Sequence, residues 1–460
     1  MWLLPSRGRP AACQALLDSM VAHGMTALGV LLLTETDSCR AEYEAIALPE
    51  GWFRVYVDHP GVDTAKKLRV AFGDYPASPW YGWIADDVSV ETHGFEQRLV
   101  AAAGAWGIAG ANDLWLVRED VQKTRILSGA CVFGGDLVRS IGYLVPDGLI
   151  HLYMDDVWET IARDLGNWRA LMDVITPNNH PMKTGAAMDA TTGAANAPEV
   201  YKADAKTFKR WKATEAPGDI TRARWASWEA QGLSLERARK RTVMLAFPVY
   251  DRPHMQHEAA AMETVGLLSE LQISHGFAHI QGQPIHTARN MLVKAFLDGG
   301  FTDILFIDAD MAWRPYDVVR LLAQKHPFIG GVGRKRNDTP ITDARAWCFS
   351  PIVDADCNAA HDAAGAIEVN HVGTGFLLVN RLVFEALEQY GKPPKVNDAD
   401  GIAYTQFFRW GLGNGCEFGE DYQFCRDYRA IGGKVMVDPS IELSHFGTSD
   451  HKAKLSSILM

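Results

Sequence analysis

Residues 302–315 read Thr-Asp-Ile-Leu-Phe-Ile-Asp-Ala-Asp-Met-Ala-Trp-Arg-Pro. The apolar run at 304–307 is short and rich in strand formers, so it predicts a buried β-strand. Asp308 and Asp310 follow at the carboxyl end of that strand, before a proline-marked helix start. Open α/β sheets bind ligands at this end of their strands. Two carboxylates one residue apart can face one hard cation and leave its other positions open to phosphate oxygens.

The Asp-x-Asp tripeptide occurs three times in the chain, so the tripeptide alone is a weak signal. The other copies, Asp354 with Asp356 and Asp398 with Asp400, lie in polar stretches rich in turn residues. Such stretches are typical of surface turns. Only the copy at 308–310 follows a buried-strand pattern, and this context selects it.

Length and composition set the broad class. A chain of 460 residues with 47% apolar composition can bury more than one core, which predicts two or three domains, with two the better fit. No run of eighteen apolar residues occurs, and seven cysteines without a Cys-x-x-Cys pair indicate reduced thiols. We therefore expect a soluble, cytoplasmic protein.

Charge is unevenly distributed. The net charge of −11 argues against a general surface for polyanions. Residues 201–241 nevertheless contain 11 Lys/Arg against 5 Asp/Glu, a surplus of six positive charges (11 minus 5). This segment is interpreted either as a solvated amphipathic connector or as a surface for an anionic partner.

The first half of the chain repeats the pattern of the second. Thr64 precedes Asp86 by 22 residues (86 minus 64), and Thr287 precedes Asp308 by 21 (308 minus 287). Aligning residues 83–88 with residues 306–311 places Asp87 on Asp310 and Ala85 on Asp308. The second carboxylate is shared, whereas the first is replaced by alanine.

The agreement continues downstream in both halves. Asp155 and Asp156 correspond to Glu420 and Asp421, and each acidic pair precedes a helical pattern and then a histidine. The separation is 24 residues from Asp156 to His180 and also 24 from Asp421 to His445. Alternating strands and helices in each half predict two tandem α/β domains with mainly parallel sheets, at 1–200 and 241–460, joined by a basic helical connector at 201–240.

These residues, in this order, resemble a GT-A glycosyltransferase, and both halves show a looser similarity to phage and bacterial family-2-like members. The match covers residues 242–447 most specifically. The resemblance implies a GT-A, Rossmann-like fold and sugar transfer from a nucleotide-sugar, a UDP-sugar by first expectation, to a hydroxyl acceptor. It also implies a Mn²⁺ or Mg²⁺ cofactor and, for a phage-encoded protein, the host cytoplasm.

The resemblance assigns roles to particular residues. Asp310 and His445 would be metal ligands, and Asp308 would contact metal-bound water or the ribose. Asp87 and His180 would be the counterparts of these ligands in the first half. Asp421 would be the general base, with Glu420 as the alternative and Asp156 as its counterpart. Each has a structural alternative, namely a helix N-cap, a helix-dipole partner or a buried histidine.

Two further groups are candidates for binding the donor. Arg289 and Asn290 fall at a predicted helix start, which favours phosphate oxygens. Gly373, Thr374 and Gly375 lie between strand-like segments, where missing side chains let a sugar approach the backbone. Ordinary surface residues and a plain tight turn are the respective alternatives.

Several functions stay open at this point. Transfer by a positioned base favours inversion at the anomeric carbon. The basic connector, together with the resemblance to phage-encoded glycosyltransferases, makes a hydroxymethylated base in DNA one acceptor to consider. Both halves could be active, as a bifunctional or polymerising transferase. A nucleotidyltransferase is a different possibility, although the loops at 5–10 and 248–253 are not glycine-rich, as the loop of such an enzyme normally is. A non-catalytic glycan- or nucleic-acid-binding protein is a third.

Overall fold

The structure, a computed structural model, describes residues 1–59, 61, 64–114, 129–180, 189–336, 339–340, 343–355, 358–397, 401–413, 415–447 and 453–454. It divides into two compact units, Met1–Ser227 and Trp228–Met460. The division falls inside the segment 201–240 that the sequence predicts as a connector. Asp356, Asp398 and Asp400, expected in surface turns, lie outside the described residues.

The first unit is built on a seven-stranded sheet in the order β3-β2-β1-β4-β6-β5-β7. The pairs β1–β2, β2–β3, β1–β4 and β5–β7 are parallel, and β6 runs antiparallel to both β4 and β5. Its strands are β1 Trp2–Pro5, β2 Gly29–Thr34, β3 Trp52–Val57, β4 Trp80–Ile84, β5 Ile108–Asn112, β6 Ala130–Gly134 and β7 Trp168–Ile175.

Helices cover both faces of this sheet, since apolar clusters lie on either side of it. The apolar residues of the helix at 154–165 recur every three to four positions, at Met154, Val157, Trp158 and Ile161, and all are buried. The helices are α1 Pro10–Ala22, α2 Arg40–Glu44, α3 Thr64–Asp74, α4 Phe95–Ala103, α5 Gly135–Ile141, α6 Met154–Leu165, α7 Ala190–Ala195, α8 Pro198–Thr214 and α9 Ala216–Ala230.

The basic segment is helical and belongs largely to the first unit. Trp211, Ala216 and Ile220 of α8 and α9 are buried in the core that α6 also fills. The buried carboxylate of Asp204 accepts hydrogen bonds from the backbone N–H groups of residues 150–152 at 2.7–2.9 Å. These contacts anchor α8, while Lys202 and other basic residues remain on its exposed face.

The second unit contains an eight-stranded sheet in the order β13-β14-β20-β12-β15-β10-β8-β9. Three small sheets accompany it, β11-β21-β22, β16-β17 and β18-β19. Its strands are β8 Thr242–Val249, β9 Ser274–Gln281, β10 Asp303–Ile307, β11 Met311–Ala312, β12 Phe328–Gly330, β13 Phe349–Pro351, β14 Ile367–Val372, β15 Phe376–Asn380, β16 Lys395–Asn397, β17 Ala403–Thr405, β18 Gly411–Gly413, β19 Cys416–Phe418, β20 Val435–Val437, β21 Glu442–His445 and β22 Ala453–Lys454.

The predicted strand before Asp308 is β10, and all five of its residues are buried. The helix after it begins at Pro315, where the fixed φ of proline suits a first helical position. The helices of this unit are α10 Leu235–Arg239, α11 Met255–Glu270, α12 Ile285–Asp298, α13 Pro315–Ala323, α14 Arg381–Ala386 and α15 Glu420–Ala430, with short 3₁₀ and π turns at Ala344–Ala346 and Leu387–Gly391.

The two sheets share a six-strand arrangement. In the first unit β2-β1-β4-β6-β5-β7 are consecutive neighbours, and in the second β9-β8-β10-β15-β12-β20 are. Taken in this order, the five neighbouring pairs have the same directions in both sheets: parallel, parallel, antiparallel, antiparallel and parallel. In this correspondence β4 matches β10, and α6 and α15 each precede the last strand. The predicted α/β fold class is confirmed.

Within the described residues, no helix combines the length and apolar character needed to cross a membrane.

Candidate active site

The Asp308–Asp310 turn is held by the backbone on both sides. The N–H of Asp308 donates to the carbonyl of Gly375 at 3.1 Å, and the N–H of Met311 donates to the carbonyl of Asp308 at 3.0 Å. The chain then enters β11, which pairs antiparallel with β21 and places Met311 opposite His445. This short pairing brings the predicted strand-end carboxylate and the late histidine to the same place.

Asp310 and His445 lie within contact distance of each other. Oδ2 of Asp310 is 3.4 Å from Nε2 of His445 and 3.0 Å from Nη1 of Arg336. Nδ1 of His445 donates to the carbonyl of Arg334 at 2.7 Å, so Nε2 is the ring nitrogen left to face the carboxylate.

The charges of this pair favour ionisation of both partners. Burial alone would raise the pKa of Asp310, but the hydrogen bond to His445 and the charges of His445 and Arg336 lower it below its ordinary value. Burial likewise works against protonation of His445, yet its bonds to Asp310 and to the carbonyl of Arg334 raise its pKa. Asp310 is therefore an anion at neutral pH.

These donors fit a divalent ion as a two-residue set. Mn²⁺ accepts carboxylate and neutral imidazole together, and Mg²⁺ or Mn²⁺ sites at phosphates keep several positions for water and substrate oxygens. Among the described residues there is no group of three or more His, Cys, Asp or Glu side chains arranged to hold a metal. Asp310 and His445 are the predicted ligands of this unit that lie together, and His445 would have to lose its proton to bind a metal.

Asp308 has a different partner. Nη2 of Arg289 is 2.8 Å from Oδ1 and 3.1 Å from Oδ2 of Asp308, while Nη1 of Arg289 is 2.6 Å from Oε1 of Glu420. The Arg289 side chain is only 4% exposed. Burial alone would lower the pKa of Arg289, but Asp308, Glu420 and Asp421 raise it. Arg289 therefore joins the strand-end carboxylate to the downstream acidic pair.

The structure corrects the prediction that Arg289 and Asn290 present donors to phosphate. Both are buried because the first turn of α12 points them into the unit. The side-chain amide of Asn290 forms two hydrogen bonds with the backbone of Phe408. Its Nδ2 donates to the carbonyl at 2.7 Å, and its Oδ1 accepts from the N–H at 2.9 Å. The two residues are thus engaged with protein groups through Nη1 and Nη2 of Arg289 and the amide of Asn290, while the buried Nε of Arg289 has no hydrogen-bond partner among the described residues.

Asp421 has no salt-bridge partner among the described residues. Its Oδ1 accepts from the backbone N–H of Tyr422 at 2.8 Å. Burial raises the pKa of Asp421 above its ordinary value, Arg289 opposes the rise, and the neighbouring Glu420 adds to it. Glu420, by contrast, is held by Arg289. Of the two predicted bases, Glu420 is therefore the one paired with Arg289, and Asp421 is the one without such a salt bridge among the described residues.

The Gly373–Thr374–Gly375 turn between β14 and β15 runs against these carboxylates. A Cβ on Gly375 would lie 3.2 Å from Oδ2 of Asp308, and one on Gly373 would lie 3.7 Å from Oδ2 of Asp421. Thr374 is 1% exposed, and its buried Oγ1 has no hydrogen-bond partner among the described residues. The turn therefore lines the site and carries a hydroxyl that still needs a partner.

His254 is a residue that the sequence analysis missed. Its N–H donates to the carbonyl of Ala309 at 2.8 Å, and its ring stacks on Phe446 with centroids 4.2 Å apart and an angle of 5°. It thus contacts both segments that carry the predicted metal ligands. The sequence places His254 directly after Pro253, in the loop that follows the first strand of the unit, and this position could have indicated a residue near the site.

The first unit has a cavity of about 290 Å³ at the carboxyl ends of β1 and β4. Asp87 and His180, the predicted metal ligands, both line it. Asp155 also lines it, whereas the predicted base Asp156 does not and borders a separate surface depression with Glu159 and others. The first turn of α6 directs the two adjacent carboxylates to different sides, and sequence alignment alone does not resolve this.

The sequence matches no family model and no curated protein. Solved structures with some similarity include A197 from STIV (15% identity, 44% of this chain and 86% of that one, TM-score 0.27). The mannosyltransferase PcManGT from Pyrobaculum calidifontis, in complex with GDP-Man and Mn²⁺, is 14% identical over 59% of this chain and 79% of that one (TM-score 0.30). Rv0371C from Mycobacterium tuberculosis H37Rv, in complex with manganese, is 16% identical over 38% and 88% (TM-score 0.27).

At TM-scores of this size these similarities do not assign a function to the chain.

Proposed function

We propose that the C-terminal unit is a metal-dependent glycosyltransferase that moves a sugar from a nucleotide-sugar to a hydroxyl acceptor. The observation that carries the proposal is the meeting of Asp310 with His445 at 3.4 Å, on the edge of the sheet where β10 ends. Ligands of open α/β sheets bind at such an edge. Arg289 ties the adjoining Asp308 to the downstream acidic pair, so the acidic groups form one site.

Asp310 and His445 would hold Mn²⁺ or Mg²⁺. The chemistry that such an ion supplies is neutralisation of the charge on the departing diphosphate, an effect worth several kcal/mol. Arg336 is the present counter-charge of Asp310, and its half-exposed side chain can turn to phosphate oxygens when the donor binds. Asp308 would stay with Arg289 and contact the donor through the oxygen edge that faces Gly375.

Asp421 would act as the general base. The acceptor hydroxyl oxygen attacks the anomeric carbon, its proton passes to the Asp421 carboxylate, and the bond from that carbon to the diphosphate oxygen breaks with its electron pair. A raised pKa suits this role, because a base whose pKa approaches the working pH accepts the proton more readily. One displacement of this kind inverts the configuration at the anomeric carbon.

The proposal is tested by incubating the full chain with a panel of sugar nucleotides, UDP-sugars first, with Mn²⁺ or with EDTA. We expect metal-dependent release of the nucleoside diphosphate, abolished by Asp310→Asn. Asp298→Asn, at an exposed carboxylate late in α12, is the matched control and should keep the activity. Release of pyrophosphate from a nucleoside triphosphate and a sugar phosphate would indicate a nucleotidyltransferase instead.

Two arms of the same assay address the first unit and the acceptor. Separate Asp155→Ala and Asp156→Ala variants, compared by product mass, tell whether the first unit also transfers sugar. For a DNA acceptor, the exposed Lys202, Lys206 and Lys209 of α8 support phosphate contacts. Transfer to hydroxymethylated DNA would then fall steeply with salt, because phosphate contacts release counterions. A salt-insensitive rate would exclude that acceptor.

A further inference from the structure

The cavity of the first unit occupies the position in its sheet that the candidate active site occupies in the second. Its walls come from the loop after β1, the start of α3, the end of β4 and the residues before α6. The wall differs from the second site in its charges. Ala85 stands where the alignment places Asp308, and an arginine from the loop after β1 reaches the remaining carboxylates.

That arginine is Arg9. Its Nη1 is 3.0 Å from Oδ1 of Asp86 and 4.0 Å from Oδ2 of Asp87, and its Nε is 2.8 Å from Oδ2 of Asp189. Nη2 also donates to Thr192. A guanidinium therefore already supplies the positive charge beside Asp86 and Asp87. Arg9 is held by Asp86 and Asp189 and its side chain is only 16% exposed, whereas Arg336 beside Asp310 is 48% exposed, so Arg9 gives way less readily to a divalent ion at the site predicted from Asp87 and His180.

A second cation of the same loop lacks a partner. Arg7 lines the cavity, and its Nη1 is buried and has no hydrogen-bond partner among the described residues. Leaving a charged donor buried and unpaired costs more free energy than the usual hydrogen bond contributes. Lys67, also in the wall and 5% exposed, donates from Nζ to the carbonyl of Ser6 at 2.8 Å. The group that lacks a partner, the guanidinium of Arg7, is thus positively charged. Lys67 adds a second positive charge to the same cavity wall.

The loop that carries Arg7 is fixed before any ligand arrives. Gly8 has a φ of +63°, a conformation that glycine adopts without strain, and its N–H donates to Oδ2 of Asp37 at 2.9 Å. Ser6 Oγ is 2.7 Å from the hydroxyl of Tyr43 and donates to Asp86 at 2.6 Å. Preorganisation of this kind lowers the ordering cost of binding.

We propose that this cavity binds the phosphate group of a small phosphorylated metabolite, a sugar phosphate or a nucleotide, through Arg7 and without a divalent ion. The guanidinium of Arg7 presents paired donors that match phosphate oxygens. The cavity volume of about 290 Å³ lies at the lower end of the range for small-molecule sites, which suits a ligand of this size. The proposal does not depend on sugar transfer by the second unit.

The test is calorimetric titration of the full chain carrying Asp310→Asn, in EDTA, so that neither a metal nor the second site contributes. The probes are inorganic phosphate, glucose 1-phosphate and UMP, with glucose and uridine as uncharged counterparts. We expect the phosphorylated probes to bind and the uncharged ones to bind at least roughly tenfold more weakly. The affinity for glucose 1-phosphate, compared with the affinity for UMP, tells whether the ligand is a sugar phosphate or a nucleotide.

Arg7→Ala should lower the affinity by roughly tenfold or more, since hydrogen bonds to charged groups contribute about 1.5–3 kcal/mol. Arg40→Ala, on the exposed face of α2, is the matched control and should bind normally. Thermal unfolding checks that Arg7→Ala is folded, and Arg7→Lys should restore part of the affinity. Binding that appears only with Mn²⁺, equal binding of the uncharged probes, or an unchanged affinity in a folded Arg7→Ala chain would each overturn the proposal.

Discussion

Nε2 of His445 lies 3.4 Å from Oδ2 of Asp310, although the two residues are far apart along the chain. The contact depends on the pairing of the two-residue strand β11 with β21, in which Met311 faces His445. The N–H of Phe446 also donates to the carbonyl of Asp310 at 2.8 Å. Backbone pairing thus fixes the relative position of the two side chains.

Arg289→Ala should destabilise the protein strongly. The change leaves the carboxylates of Asp308 and Glu420 without their shared cation, and breaking a buried pair in this way costs about 3–5 kcal/mol. Urea unfolding followed by circular dichroism measures the effect. Arg345→Ala, which removes a guanidinium that is 86% exposed, should leave stability unchanged. Equal stability of the two variants would show that the Arg289 bridge is not structural.

Asp421→Asn should abolish sugar transfer while the protein still binds the donor. Loss of a general base lowers the rate by roughly 10²–10⁴-fold. Glu420→Gln should act differently, since Glu420 is a partner of Arg289, and its main effect should be on stability and donor KM. Initial rates with saturating donor, together with a donor-binding titration, separate the two. A Glu420→Gln variant that loses kcat while Asp421→Asn retains it would reverse the assignment.

The rate of transfer should fall as the pH falls. A general base works only when deprotonated, and burial raises the pKa of Asp421 above the ordinary aspartate value of 3.8. The rate should therefore be maximal above the pKa of Asp421, which is higher than 3.8. It should fall as the pH drops through that pKa. A profile of kcat/KM against pH measures this. A rate that rises on acidification would contradict a carboxylate base.

Gly375→Ala should impair the site without unfolding the protein. The added methyl group would lie 3.2 Å from Oδ2 of Asp308, whose carboxylate is held by Arg289 and can yield only by a small shift. Misplacement of a positioning group lowers transfer by up to roughly 100-fold. Gly73→Ala in α3 meets no atom within 4 Å and is the control. Normal kinetics of Gly375→Ala would show that Asp308 tolerates displacement.

Local sequence patterns predict part of this structure. The strand expected at 304–307 is found at Asp303–Ile307, because a short apolar run rich in strand formers and bounded by turn residues favours a buried strand. The helix after Glu420 is found as well, since acidic residues favour a helix start. The repeated spacing between the halves corresponds to strands with the same neighbours and directions in both sheets.

The rest depends on contacts that no local pattern encodes. Arg289 resembles a surface arginine at a helix start until tertiary packing turns it onto Asp308 and Glu420. Which of Asp155 and Asp156 faces the cavity depends on the helical phase of the first turn of α6. Arg9 reaches Asp86 only through the fold of the loop after β1. Charge alone did not predict that Trp211 anchors the basic helix α8.

The central claim is that Asp310 and His445 hold one divalent ion, and Mn²⁺ affinity in the presence of donor nucleotide tests it most directly. Calorimetric titration should show a single metal site that Asp310→Asn and His445→Ala each weaken by at least roughly tenfold, since even the partners of metal ligands contribute that much. Asp298→Asn and Asp87→Asn should leave the Mn²⁺ affinity unchanged. An unaltered Mn²⁺ affinity in folded Asp310→Asn and His445→Ala chains would contradict the account.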